Sequence, residues 1–188
     1  MAGGPRLGLT TSMLTVCPTC GVGWPEGGEP TCTDPDAHPH RPHEVHRHRT
    51  PVTLPGGAEV WAVSFDANDP YRRDRRPDLG LYLDERWDPP WEHAKTAWPD
   101  FGLPSDVDGL RAELSAVLAR ATAGDRVEIG CLGAHGRTGT ALACLAIIDG
   151  EDPGGAVAWV RTTYCERAIE TPDQEAFVRA FRARPPAP

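Results

Sequence analysis

The sequence predicts an α/β fold for most of its length, and three observations support this prediction. After about residue 55, short runs rich in β-branched and aromatic residues are interspersed with longer amphipathic runs. The length of 188 residues suits one domain with a small appendage. Apolar residues make up 39% and charged residues 24% of the chain, and these fractions are typical of a globular protein.

Four runs are predicted to form β-strands, namely residues 58–66, 79–87, 93–98 and 126–132. Pro89 and Pro90 should end the second run, because proline cannot extend a hydrogen-bonded ladder. The fourth run has the sequence RVEIGCL and is expected to be buried.

Four further runs are predicted to form α-helices. Residues 105–122 carry one apolar stripe and begin with a capping box at Ser105. Residues 138–148 are small and apolar, which is typical of a buried helix. The last two helices should begin at Asp152-Pro153 and at Thr171-Pro172, because proline is favoured in the first helical turn.

The N-terminal part of the chain has a different composition. Residues 17–51 are rich in proline, glycine, histidine and cysteine, and they lack the apolar periodicity that builds a core. We therefore predict two parts, an irregular Cys/His-rich segment of residues 1–54 and a domain of residues 55–188.

Charge, hydropathy and cysteine usage argue against several classes of function. The net charge of −8 argues against a protein that binds nucleic acid through bulk positive charge. No apolar run approaches the roughly 18 residues of a membrane span, and the N-terminus lacks the apolar core of a signal peptide. The six cysteines then indicate a reducing compartment, so we expect a cytoplasmic protein without disulfides.

One cysteine lies at the end of the fourth predicted strand. The loop after Cys131 contains Gly133 and Gly136, so its backbone N–H groups can turn toward one point and hold an anion. A helix beginning at Thr138 would add its dipole to the same field, which would stabilise a thiolate or a phosphate. Arg137 could bind two phosphoryl oxygens. The alternative is a buried core cysteine beside an arginine that pairs at the surface.

A second motif, W-P-D-F-G-L-P, occupies residues 98–104, upstream of this loop. Together with the C-x5-R motif and the Thr-Gly that follows it, this segment resembles the protein tyrosine phosphatase and dual-specificity phosphatase superfamily. The resemblance spans about residues 58–181 and implies a central, mostly parallel sheet flanked by helices.

The resemblance also implies roles for the residues of both motifs. Cys131 would be the nucleophile, Asp100 the general acid, and Thr138 the hydroxyl that supports departure of the thiolate. The phosphoryl group would be bound by the loop formed by Leu132, Gly133, Ala134, His135, Gly136 and Arg137. These roles suit the chemistry, since a phosphomonoester needs a nucleophile, neutralisation of its charge and a proton for the leaving oxygen. Catalysis would need no cofactor.

Gln174 and Gly130 are two further positions that bear on the resemblance. Gln174 resembles the glutamine that positions the hydrolytic water in this superfamily, but Thr171 and Gln174 also form a capping box, and both interpretations stay open. Gly130 stands where the superfamily usually has a histidine before the cysteine.

The N-terminal segment contains a possible metal site. Cys17 and Cys20 form a C-P-x-C-G turn similar to the knuckle of zinc ribbons, and Cys32 and His38 could complete a tetrahedral structural zinc site. His40 is an alternative to His38 as the fourth ligand. The other interpretation is a histidine-rich tail with adventitious metal affinity.

We therefore expect a cysteine-dependent phosphomonoester hydrolase, either a protein tyrosine phosphatase or a dual-specificity phosphatase. Its partner would be a phosphorylated protein or a small phosphomonoester, and neither a membrane nor nucleic acid is expected. The alternative is a catalytically weak phosphate-binding module that the zinc segment recruits to protein or RNA. The presence of both Cys131 and Asp100 favours the enzyme, because a binding module needs neither a nucleophile nor an acid.

Overall fold

The computed structural model describes residues 51–65, 71 and 73–183, together with the backbone of residues 14–16 and 23–25. The chain divides into two units, Met1–Glu44 and Val45–Pro188. In the first unit, β1 (Leu14–Val16) pairs antiparallel with β2 (Gly23–Pro25). The predicted zinc ligands lie outside the described residues, so the zinc site stays a prediction; they are Cys17, Cys20, Cys32 and His38, with His40 as the alternative.

The second unit is built on a five-stranded sheet with the order β3-β4-β7-β5-β6. Its strands are β3 (Val52–Thr53), β4 (Glu59–Ser64), β5 (Leu79–Tyr82), β6 (His93–Lys95) and β7 (Val127–Cys131). Only the β3–β4 pair is antiparallel, and the other neighbours run parallel. This arrangement confirms the predicted α/β class with a mostly parallel sheet.

The second strand, predicted to span residues 79–87, is shorter than expected. It ends at Tyr82, because the side chain of Asp84 accepts a hydrogen bond from the backbone amide of Arg86 at 3.1 Å and turns the chain. The strand β3 was not predicted, and it lies before the predicted domain boundary at residue 55.

Four helices complete the unit, α1 (Val107–Thr122), α2 (Gly136–Ile148), α3 (Ala156–Thr163) and α4 (Pro172–Ala180). The predicted cap of α1 at Ser105 is wrong, since the Asp106 carboxylate accepts the amide of Gly109 at 2.8 Å. Thr171 caps α4 as predicted. None of the helices in the described part of the chain is long and apolar enough to cross a membrane.

The centre of the unit is formed by β7 and α2. Every residue of β7 is buried, and so is every residue of α2 from Gly136 to Ile147. The other three helices pack against α2, which buries it on all sides. Because both elements are held in the core, the short loop between them has fixed ends, and this loop carries the candidate site.

Candidate active site

The loop between β7 and α2 comprises only residues 132–135. Ala134 is buried in the loop with a φ of 58°, a left-handed conformation that costs a residue with a side chain about 1–3 kcal/mol. The surrounding structure supports this conformation, since the hydroxyl of Tyr164 donates to the carbonyl oxygen of Ala134 and the amide of Gly139 donates to that of His135 at 2.8 Å. The loop is therefore held by a hydrogen bond from α2 and by a hydrogen bond from Tyr164, the residue that ends α3.

The nucleophile predicted from the sequence lies at the bottom of this loop. Cys131 is 2% exposed, and the hydroxyl of Thr138 donates a hydrogen bond to its sulfur at 3.0 Å. A hydroxyl in this position stabilises negative charge on the sulfur, both when the thiolate attacks and when it departs. The structure thus brings together Cys131 and Thr138, two of the residues that the sequence singled out.

Arg137 is the most constrained side chain of the site. Its Nη1 donates to the carbonyl oxygens of Leu83 at 3.1 Å and Trp98 at 3.0 Å, and its Nη2 pairs with Asp100 Oδ1 at 3.1 Å. The residue is 3% exposed, and its Nε has no hydrogen-bond partner within the described residues. An unpartnered buried N–H is costly, so this atom indicates a position for an anionic ligand.

Sequence reasoning missed the carboxylate that anchors this arginine. Asp84 lies just beyond the end of β5 and is 7% exposed, with Oδ2 at 3.3 Å from Nη1 of Arg137. Two hydrogen bonds from the Arg86 guanidinium are the main reason that the pKa of Asp84 falls to about 2, and the charge of Arg137 contributes. An acidic residue at the carboxyl end of a parallel strand is typical of a ligand site in an open α/β sheet, but the predicted strand of residues 79–87 placed Asp84 inside the strand and hid this signal.

The W-P-D segment forms a tight turn over the same arginine. The indole of Trp98 is buried and donates to the carbonyl oxygen of Gly102 at 2.8 Å, while the Gly102 amide donates to the carbonyl oxygen of Pro99 at 3.0 Å. Phe101 has a φ of 56°, which lets the chain reverse. The carboxylate of Asp100 is therefore turned toward Arg137, while 55% of the Asp100 side chain stays exposed to solvent.

The hydrogen bonds of Gln174 bear on one of its two interpretations, the capping box, and fulfil it in part. Thr171 accepts the backbone amide of Gln174 at 3.2 Å, so the first half of the capping box exists. The Gln174 side chain instead accepts the backbone amide of Glu170 at 3.0 Å and donates to the carbonyl oxygen of Gly102 at 3.3 Å. This fully buried side chain therefore connects the start of α4 to the turn that carries Asp100.

The glycine before Cys131 has a structural reason. A Cβ atom at Gly130 would lie 2.7 Å from Cγ2 of Val63 and 2.8 Å from Cε2 of Phe65. The ring of Phe65 is buried there and stacks on Trp87 with a centroid distance of 4.4 Å. The space of a histidine side chain at position 130 is therefore filled by an aromatic residue of the neighbouring strand end.

Comparison with known proteins gives relatives for part of the chain. No protein-family model matches it. An uncharacterized protein of Methanocaldococcus jannaschii is 39% identical over 83 residues, which cover 44% of this chain and 54% of that protein. A second uncharacterized protein of the same organism is 38% identical over 80 residues, which cover 42% of this chain and 48% of that protein. The chain thus spans about half the length of the curated relatives it matches.

A solved structure matches the fold. The crystal structure of Tk-PTP in its active form superimposes with a TM-score of 0.50 and 27% identity, over 57% of this chain and 80% of that chain. The match agrees with the mostly parallel five-stranded sheet and its flanking helices. The second unit of this chain therefore has the fold of the tyrosine phosphatase superfamily.

Proposed function

We propose that the protein is a cysteine-dependent phosphomonoester hydrolase. The observation that carries this proposal is the meeting of three groups at one guanidinium. Arg137 lies directly after the loop that follows Cys131, pairs through Nη2 with the carboxylate of Asp100, and has a buried Nε without a hydrogen-bond partner among the described residues. A buried nucleophile, a buried cation and a more exposed acid within reach of the cation are the groups that transfer of a phosphoryl group requires.

In the first step, the thiolate of Cys131 attacks phosphorus and the bond between phosphorus and the leaving oxygen breaks. Arg137 and the loop amides neutralise the charge of the phosphoryl oxygens. Asp100, in its protonated form, gives its proton to the departing alkoxide or phenoxide. The product of this step is a phosphocysteine and a free alcohol.

In the second step, water attacks the phosphocysteine and the bond between phosphorus and sulfur breaks. Asp100 is now ionised and accepts a proton from the water. The departing thiolate receives the hydrogen bond of Thr138, which lies 3.0 Å from the sulfur. Inorganic phosphate leaves and the enzyme returns to its starting state.

The proposed substrates are phosphorylated proteins, with phosphotyrosine alone or together with phosphoserine and phosphothreonine, or small phosphomonoesters. The binding-module alternative uses the same loop, but Asp100 disfavours it. A carboxylate beside the anion site weakens anion binding, so a module built only to bind phosphate gains nothing from it.

We also propose a structural zinc ion in the N-terminal unit, bound by Cys17, Cys20, Cys32 and His38. The antiparallel pairing of β1 and β2 supports this, because the two strands flank the stretch that contains Cys17 and Cys20. The metal would hold the segment together, since the segment has no apolar stripe of its own.

Hydrolysis of a small aryl phosphate by the full chain tests the proposed function. We expect measurable turnover by the unmodified protein and none by Cys131→Ser, which should still bind inorganic phosphate. Cys165→Ser is the matched control, because Cys165 is also a buried cysteine and lies outside the loop. Equal hydrolysis by the Cys131→Ser variant would contradict the proposal.

A further inference from the structure

Glu170 is a carboxylate that the proposed mechanism does not use, and it lies against Gly136 at the start of α2, directly after the loop that follows Cys131. Glu170 immediately precedes the capping residue of α4. Its backbone amide donates to the Gln174 side chain at 3.0 Å, and Gln174 in turn donates to Gly102 in the turn that carries Asp100. The backbone of Glu170 is therefore connected, through the side chain of Gln174, to the turn that carries Asp100.

The side chain of Glu170 reaches the loop at Gly136. A Cβ atom at Gly136 would collide with Oε2 of Glu170, so the absence of a side chain at this position lets the carboxylate approach the backbone. Gly136 is buried and is the residue directly before Arg137. The carboxyl group thus lies beside an amide that the proposed mechanism uses to bind the phosphoryl group.

The surrounding charges act on Glu170 in opposite directions. The pKa of Glu170 is raised on balance, because partial burial and the negative charge of Asp100 outweigh the hydrogen bond from the Gly136 amide and the charge of Arg137, which lower it. Interactions between charges are mutual, so the negative charge of Glu170 would repel an anion bound at the loop. The site therefore contains the buried cation Arg137 and three carboxylates near it, Asp84, Asp100 and Glu170.

We infer that the carboxylate of Glu170 weakens the binding of inorganic phosphate to the loop that follows Cys131. This inference rests on the proposed function. The ionised carboxylate repels the dianionic product and competes for the amide of Gly136. Asp100 ionises when it gives up its proton, whereas Glu170 has no part in the proton transfers and stays a constant source of repulsion. The consequence is weak product inhibition, since phosphate is released easily after the second step.

The test is equilibrium binding of inorganic phosphate to the full chain, measured by calorimetry and by the phosphate dependence of the melting temperature. Glu170→Gln keeps the shape and removes the charge, so we expect its Kd for phosphate to fall about tenfold. Glu170→Asp keeps the charge and should bind phosphate within about twofold of the unmodified protein. Glu166→Gln is the matched control, because Glu166 is, like Glu170, an exposed glutamate of the same connection, whereas the contact with Gly136 is made by Glu170, so this variant should not change the Kd.

Two results would overturn the inference while leaving the proposed function intact. One is an unchanged or weaker affinity of Glu170→Gln for phosphate, which would mean that the carboxylate only supports the loop. The other is equally tight binding by the Asp and Gln variants, which would mean that charge is not the cause. Absence of phosphate binding in every protein, the unmodified chain included, would overturn both the inference and the proposed phosphate site.

Discussion

Arg137 is the residue through which distant parts of the sequence meet. It lies at the start of α2, yet its guanidinium contacts Leu83, Asp84, Trp98 and Asp100. The motifs predicted Arg137 and Asp100, because each motif is local in sequence. The role of Asp84 was not predictable in the same way, since it depends on β5 lying beside β7 and on the chain turning at Tyr82.

Asp84 should contribute to stability in a pH-dependent manner. Its pKa is lowered to about 2, mainly by hydrogen bonds from Arg86, so the folded state favours the ionised form more than the unfolded state does. Its contribution is complete above the unfolded pKa of about 4 and is lost as pH falls through about 2. We expect Asp84→Asn to lower the free energy of unfolding by about 1–2 kcal/mol at pH 7, with a smaller difference at pH 2.

Urea unfolding at both pH values measures this difference. Asp108→Asn is the control, because that carboxylate is exposed on α1 and pairs with Arg111 at the surface. A stability loss for Asp84→Asn that is the same at pH 7 and pH 2 would mean that packing, rather than charge, holds Asp84 beside Arg137.

At the scale of elements, local sequence signals were sufficient to predict where some helices begin and insufficient for others. Thr171 before Pro172 predicted the start of α4 correctly, because a capping hydroxyl and proline act within one turn. Ser105 was a plausible cap, but Asp106 captures the amide of Gly109 instead. The side chain of Gln174 makes a contact with Gly102 that lies 72 residues away, and no local pattern could reveal it.

The proposed role of Asp100 as general acid can be tested by comparing substrates with different leaving groups. Asp100→Asn removes the proposed proton donor, so hydrolysis of phenyl phosphate should slow by about 10²–10⁴ in kcat. An aryl phosphate with a strongly acidic phenol needs no proton, so its kcat should fall much less. The measurement is kcat for both substrates with the unmodified protein and the variant, and Asp106→Asn on the same connection serves as the control. Equal losses for both substrates would contradict the role of Asp100 as general acid.

At the scale of the whole molecule, the sequence predicted the sheet and helices but not every packing choice. The fully buried β7 and α2 were identifiable, since one is a short apolar strand and the other a small-residue helix. The filling of the space beside Gly130 by Phe65 was not, because these residues meet only when β4 and β7 pair. Glu170 was overlooked for the same reason, as its contact with Gly136 joins segments more than 30 residues apart.

The two units should differ in their dependence on metal. The protein should contain about one zinc ion per chain, and replacing both Cys17 and Cys20 by serine should remove it. The N-terminal segment should then lose its fold, while the second unit, which contains all five strands of the larger sheet, keeps the sheet, the helices and the hydrolysis of a small aryl phosphate. Metal analysis and activity of the unmodified protein and the double variant check both statements. Finding no zinc would refute the metal site, and simultaneous loss of zinc and activity would show that the segment reaches the active site.

The most direct test of the account is capture of the phosphocysteine. The protein is mixed with an aryl phosphate, quenched in acid within the first turnovers, and digested for mass spectrometry. We predict one phosphoryl group on the peptide containing Cys131, present in the unmodified protein and in Cys165→Ser. Hydrolysis that proceeds with the phosphoryl group on a different residue, or with no phosphorylated peptide at all, would contradict the assignment of Cys131 as the nucleophile.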